Sequence, residues 1–315
     1  MLTRIIKTSR PLRRCFSTVP GVQRVGVVGL GLMGHGVAQM AAAAGYDVVG
    51  IEMEQKGLDV GMQRIENSLQ LVAKRNVKKG MDEAAAATQV TETLGRITAS
   101  TDLHALKDVD LVVEAIAENK DLKLKFYEQL GNIVQPGAIF ASNTSSLQIT
   151  GMAEISARPK QFVGLHFFNP VQMMKLVEVI RTDHTEDKVF DTMLAFGQSI
   201  GKTTVSCVDT PGFIVNRLLV PYLSQALLMV DRGEATIEDI DVSMQLGAGH
   251  PMGPIHLSDY IGLDVMHSIL VGWQKDFPDE AAFVMPKCLE EKIAQGHLGR
   301  KTGQGFYKWE GDKKL

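Results

Sequence analysis

The stretch QRVGVVGLGLMGHGVAQMAAAAGYDVVGIEM, residues 23–53, leaves few folds open. Val25 to Val28 is a short, apolar, β-branched run, as in a strand buried on both faces. Gly29, Gly31 and Gly34 follow in G-x-G-x-x-G spacing, with Leu30, Leu32 and Met33 between them. Ala38 to Ala44 favours helix, and Gly45 suits its C-terminal stop. Tyr46 to Ile51 reads as a second strand. The glycine spacing alone is a weak signal. Placed directly after a strand and opening a helix, it is the fingerprint of a dinucleotide site.

Each glycine has a physical task in that setting. Gly29 allows the tight turn, Gly31 lets the backbone approach a pyrophosphate, and Gly34 lets the helix pack on the strand. The helix start offers unpaired N–H groups and the positive end of its dipole. Glu52 ends the second strand, 23 residues after Gly29. A carboxylate there accepts hydrogen bonds from the adenosine ribose and repels a 2′-phosphate, which favours NAD over NADP. Lys56 nearby weakens that preference. A plain glycine-rich turn and a solvated strand end are the bland alternatives.

The βα pattern continues. Residues 56–92 read as a helical hairpin, Lys56 to about Lys79 and about Asp82 to Thr91, separated by Gly80. RITASTD and VDLVVEAIAEN read as strands, KLKFYEQLGNIV as a helix, and AIFASNTSSL as a strand with its exit loop. Such alternation predicts a Rossmann-type, doubly wound, mostly parallel α/β sheet. From about residue 207 the pattern turns helical: Phe213, Leu218, Tyr222, Ala226 and Val230 keep helical spacing. Thr236 opens a capping signature in TIEDID, and LSDYIGLDVMHSILVGW reads as a further helix. The expected division is residues 21–206 and 207–315.

The 315 residues carry a net charge of −3, which gives no whole-protein reason for nucleic-acid binding. No apolar run approaches the roughly 20 residues of a membrane span. Cys15, Cys207 and Cys288 are odd in number and widely spaced, against a disulfide framework or zinc site. No metal is expected. The first 20 residues hold five arginines and lysines and no acid. That is the composition of a mitochondrial transit peptide, and RRCFST resembles a matrix-peptidase site.

FVGLHFFNPVQMMKLVEVIR, residues 162–181, is almost wholly apolar yet carries His166 and Glu178. Pro170 breaks the chain between two strand-like runs. A hairpin centred near Gln172 places His166 opposite Glu178, where the carboxylate would orient the imidazole for general-base work. By spacing alone the two serve equally well as a structural pair. Ser142 to Leu147 lies on a strand-exit loop, where open α/β sheets bind ligands. Asn169, and Asn216 in PGFIVNR, add polar groups that would converge on one cleft.

Together GLGLMGHGVAQ, VVEAIAEN, FASNTSSL, GLHFFNPVQMMKLVEVI, DTPGFIVNRLLVPYL, GAGHPMGP and KTGQGFYKW resemble the L-3-hydroxyacyl-CoA dehydrogenases, in particular the short-chain mitochondrial members of fatty-acid β-oxidation. The likeness runs from Val22 to Trp309. It implies that His166 takes the proton of the 3-hydroxyl while C3 passes hydride to NAD, and that Glu178 stabilises the imidazolium. It implies that Ser145 and Asn216 hold the substrate oxygen and thioester region, and that Ser145 also contacts the cofactor. Asn169, Glu118, Lys123 and Lys301 match further cofactor positions. Ser68 and Arg75 match positions touching CoA, beside the basic residues Lys74, Lys78 and Lys79. Without the likeness, that cluster serves equally well as a solvated helix end, and a solvated helix start stays open for Glu118 and Lys123. Arg75 departs from the family's lysine, keeping charge but not geometry. His35 stands where the family has a small residue, as a new donor or as crowding. The helical second domain resembles the family's dimerisation domain and implies a homodimer, while the family likeness and the transit-like start imply the mitochondrial matrix and an acyl-CoA substrate. The rivals are an NAD-dependent dehydrogenase of a non-CoA 3-hydroxy acid such as a sugar acid, and a non-catalytic NAD-binding relative. A hydrolase built on Ser145 lacks a G-x-S-x-G elbow.

Overall fold

The computed structural model describes residues 18–315, so nearly all of the expected transit segment lies outside the described residues. The chain forms two compact units that divide between Asp209 and Thr210.

The first unit alternates strand and helix in the order β1 (Arg24–Val28), α1 (Gly34–Ala43), β2 (Asp47–Ile51), α2 (Gln55–Lys78), α3 (Glu83–Gly95), β3 (Ile97–Ser100), β4 (Leu111–Glu114), α4 (Lys120–Ile133), β5 (Ile139–Ser142), α5 (Thr150–Ile155), β6 (Phe162–Phe167), β7 (Leu176–Arg181), α6 (Asp187–Ser199) and β8 (Thr203–Val208). The eight strands form one sheet in the order β3-β2-β1-β4-β5-β6-β7-β8. Only the β6–β7 pair is antiparallel. The period of two sorts the core. Val25, Val27, Val48, Leu111, Val113 and Leu165 pack with α1 and α2 residues such as Val37, Ala41 and Ile65. Phe140 and Phe162 point the other way, against Tyr127 of α4.

Three details depart from the sequence reading. The strand in VDLVVEAIAEN stops at Glu114, before the turn at Glu118. The hairpin helix α3 runs four residues beyond Thr91, to Gly95. The run after Arg181 hides α6 and β8. β8 is an edge strand of mixed burial, TTVSCV, without the continuous apolar signal of its buried neighbours. It extends to Val208 and so crosses the expected boundary at 206/207.

The second unit holds α7 (Val215–Asp231), α8 (Ile237–Ala248), α9 (Pro254–Ile261), α10 (Leu263–Asp276) and α11 (Lys287–Ala294). Its core joins Leu223, Leu227, Ile255, Leu270, Trp273 and Leu289. Thr236 caps α8 by accepting from the Asp239 amide at 3.1 Å. LSDYIGLDVMHSILVGW is two helices rather than one, because Gly262 adopts φ +111°, outside helical space. Asp259 is fully buried and accepts from the amides of Phe306 and Tyr307 and from Trp309 Nε1, which anchors GQGFYKW to α9. No described helix is long and apolar enough to cross a membrane.

Candidate functional site

β1 lies between β2 and β4, so strand order reverses there, and ligands bind beyond the carboxyl ends of strands at such a switch point. Gly29 turns the chain there with φ +89°. A Cβ on it would sit 2.5 Å from the carbonyl oxygen of Ala115, and one on Gly34 would sit 1.7 Å from that of Gly29. At Gly31 a Cβ would meet nothing within 4 Å, so the backbone is open on that side. No side chain caps α1, as is true of most of the described helices. Glu52 Oε1 accepts from the Leu30 amide at 2.6 Å, and its other oxygen faces the space left by the missing side chain of Gly57. Leu32 lies exposed in the turn. An open glycine cradle, an uncapped helix start and a carboxylate at the end of β2 fit NAD: amides for the diphosphate, an acceptor for the ribose.

A polar row crosses one face of the sheet nearby. Glu114 pairs with Ser142, Ser142 with Gly164, and His166 with Glu178. Since His166 is two residues beyond Gly164, all four polar side chains share that face. The hairpin register is the expected one. His166 Nδ1 lies 2.6 Å from Glu178 Oε2, with both side chains essentially buried. A carboxylate only accepts, so Nδ1–H donates and the lone pair falls to Nε2.

Glu114 was not a sequence candidate, yet it is the hub of the row. It accepts from Lys123 Nζ at 2.5 Å, Ser142 Oγ at 2.7 Å, the Ile116 amide at 2.9 Å and Tyr127 OH at 3.3 Å. Burial and the Glu114 charge push the Tyr127 phenol well above its ordinary range. Lys123 is fully buried and also reaches Glu118 at 3.4 Å, so it is no solvated helix start. Glu118 in turn holds the β5 exit loop, accepting from Thr144 Oγ1 at 2.5 Å and the Ser145 amide at 2.8 Å. Asn143 Oδ1 accepts from the Phe167 amide at 3.0 Å and ties that loop to the strand of His166. Ser145 and Asn169 are exposed.

A cavity of about 580 Å³ lies between α2 and the β6–β7 turn. Ser68, Lys74, Arg75 and Lys78 line one side, and Pro170, Gln172, Met173 and His35 the other. Lys202 pins that turn by donating to the carbonyls of Val171 and Met174, and burial pushes its ammonium below the ordinary lysine range. Asn216 and Lys301 belong to the second unit. Asn216 stands in the first turn of α7, and exposed Lys301 pairs with Asp264.

The 3-hydroxyacyl-CoA dehydrogenase NAD binding domain model matches residues 24–210, and the C-terminal domain model of the same enzymes matches residues 212–309. The chain belongs to the 3-hydroxyacyl-CoA dehydrogenase family. It is an NAD-dependent oxidoreductase. It is 49% identical over 290 residues to the mitochondrial hydroxyacyl-coenzyme A dehydrogenase of Rattus norvegicus, covering 91% of each chain. It is 47% identical to a probable 3-hydroxyacyl-CoA dehydrogenase of Caenorhabditis elegans, covering 91% of this chain and 93% of that one. The crystal structure of (S)-3-hydroxybutyryl-CoA dehydrogenase from Ralstonia eutropha superposes with a TM-score of 0.86 at 39% identity, covering 92% of this chain and 99% of that one.

Sequence reasoning missed Glu114, Asn143 and Lys202 in this dehydrogenase. Asn143 lies inside the quoted exit loop and could have been found there. Glu114 reads as the end of a buried strand, and only its lysine, serine and tyrosine partners reveal what it does.

Proposed function

We propose that the enzyme oxidises L-3-hydroxyacyl-CoA to 3-ketoacyl-CoA in fatty-acid β-oxidation, with His166 as general base. The observation that carries the assignment is the buried, in-register His166–Glu178 pair near the end of β6. NAD, when bound, supplies the acceptor for the hydride that leaves C3. His166 Nε2 takes the hydroxyl proton, and Glu178 holds Nδ1–H. Proton uptake then creates an ion pair rather than a lone buried charge, so the low-dielectric site favours the step. In the reverse direction the imidazolium returns the proton.

The glycine turn from Gly29 to Gly34 and Glu52 would hold the cofactor. Glu118 would serve it through the 143–146 loop, with Lys123 acting through Glu118. Ser145 and Asn169 are assigned to substrate and nicotinamide on their family motifs. The roles of Asn216 and Lys301 rest on PGFIVNR and GRKTGQGF alone. Ser68 and Arg75 would bind CoA, whose phosphates suit the surrounding ammonium and guanidinium groups. That basic cavity favours a CoA ester over a free hydroxy acid.

The rat relative is named as mitochondrial, and the acid-free, arginine-rich start of this chain agrees, so we place the enzyme in the mitochondrial matrix. Exposed Leu218, Val242 and Leu246 of the helical unit support a homodimer. The test of function is NADH formation from L-3-hydroxybutyryl-CoA and from the free acid. Turnover of the ester alone supports the reading. Turnover of the free acid alone returns the enzyme to the sugar-acid class.

A further inference from the structure

The surroundings of His35 show what it does. It follows Gly34 in the first turn of α1, and its Nδ1 lies 2.7 Å from the carbonyl oxygen of Gly31. A carbonyl only accepts, so Nδ1 carries the proton and Nε2 the lone pair. The group facing Nε2 must then be a donor. Gln172 Nε2 stands there at 3.2 Å, and the same amide nitrogen donates to Gln39 Oε1 at 3.1 Å. One amide group therefore spends its two hydrogens on two acceptors of α1, His35 Nε2 and Gln39 Oε1. Gly36 permits the approach. A Cβ there would sit 2.7 Å from Val171 Cβ and 3.2 Å from the Gln172 amide.

The β6–β7 turn is thus held from two sides, by His35 and Gln39 on α1 and by Lys202 on its carbonyls. Its outer face, with Pro170, Gln172 and Met173, forms one wall of the basic cavity. His35 spends its proton on Gly31 and its lone pair on Gln172. It is therefore a strut between the glycine turn and the cavity wall, not an added donor to the cofactor.

We propose that His35, through Gln172, is a positioning residue for acyl-CoA that sets the β6–β7 turn as a wall of the CoA cavity. The inference rests on reading that cavity as the acyl-CoA site. The test is a double-mutant cycle of His35→Ala and Gln172→Ala, read by calorimetric binding of acetoacetyl-CoA, by turnover and by NADH affinity. Each single variant is expected to weaken acetoacetyl-CoA binding and raise its KM by about threefold to tenfold, the range of one neutral hydrogen bond. kcat should stay within about twofold, because no group of the proton step is touched. NADH affinity should be unchanged in Gln172→Ala, which leaves the bond between His35 and Gly31 in place. The double variant should be no worse than the more affected single one, because both break the same link. His35→Asn, which keeps an acceptor, should recover part of the loss.

Unchanged acetoacetyl-CoA binding in Gln172→Ala, or additive losses in the double variant, would overturn the strut while leaving the dehydrogenase reading intact. If the unaltered enzyme neither binds nor turns over acyl-CoA, the functional reading fails, and the strut fails with it.

Discussion

Lys123 and Glu114 form an ion pair in which neither side chain reaches solvent, with Nζ 2.5 Å from Oε1. Removing one partner of such a pair strands a buried charge, at a cost of about 3–5 kcal/mol. Lys123→Met is therefore expected to lower the denaturant midpoint sharply while the folded fraction still binds NADH. Unaltered stability with weakened NADH binding would make Lys123 a direct cofactor contact instead.

Arg75 lines the basic cavity together with Ser68, Lys74 and Lys78. Arg75→Met should raise the KM for acyl-CoA by about tenfold and leave kcat and NADH affinity near their original values, the pattern of lost uniform binding. A fall in kcat at unchanged KM would remove Arg75 from CoA binding.

His256 packs on the Trp309 ring, with ring centroids 5.3 Å apart. Burial first, and then the Lys314 charge, hold its imidazole below the ordinary value of 6.5. As pH falls below 6.5 the unfolded chain takes the proton before the folded one does, so stability falls. Above 6.5 both states are neutral at this group and its contribution is flat. His256→Asn should flatten that part of the acid limb in denaturant titrations across this range. Identical slopes for both proteins would contradict the assignment.

The features legible in the sequence were the local ones. The glycine spacing in GLGLMG needs only its flanking strand and helix to be read. The register of His166 and Glu178 follows from two apolar runs hinged about Pro170. What escaped depends on contacts between distant segments. Glu114 and Lys123 lie nine residues apart, yet the burial that makes them a pair comes from β5 and α4. His35 and Gln172 are 137 positions apart, and no pattern on α1 names its partner. β8 was missed because an edge strand buries too little to carry the continuous apolar run of its neighbours. The split at Gly262 went unread because the apolar spacing continues through it while the backbone does not.

The central claim is that the buried histidine of the β6–β7 pair moves the proton. His166→Gln keeps a group able to donate to Glu178 but cannot accept the proton. The most direct measurement is kcat for L-3-hydroxybutyryl-CoA oxidation in this variant, beside NADH affinity as the control for folding. The account predicts a loss of about 10²–10⁴-fold in kcat, the usual weight of a positioned general base, with NADH affinity retained. Near-normal turnover in a variant that still binds NADH would contradict it and make His166 and Glu178 a structural pair.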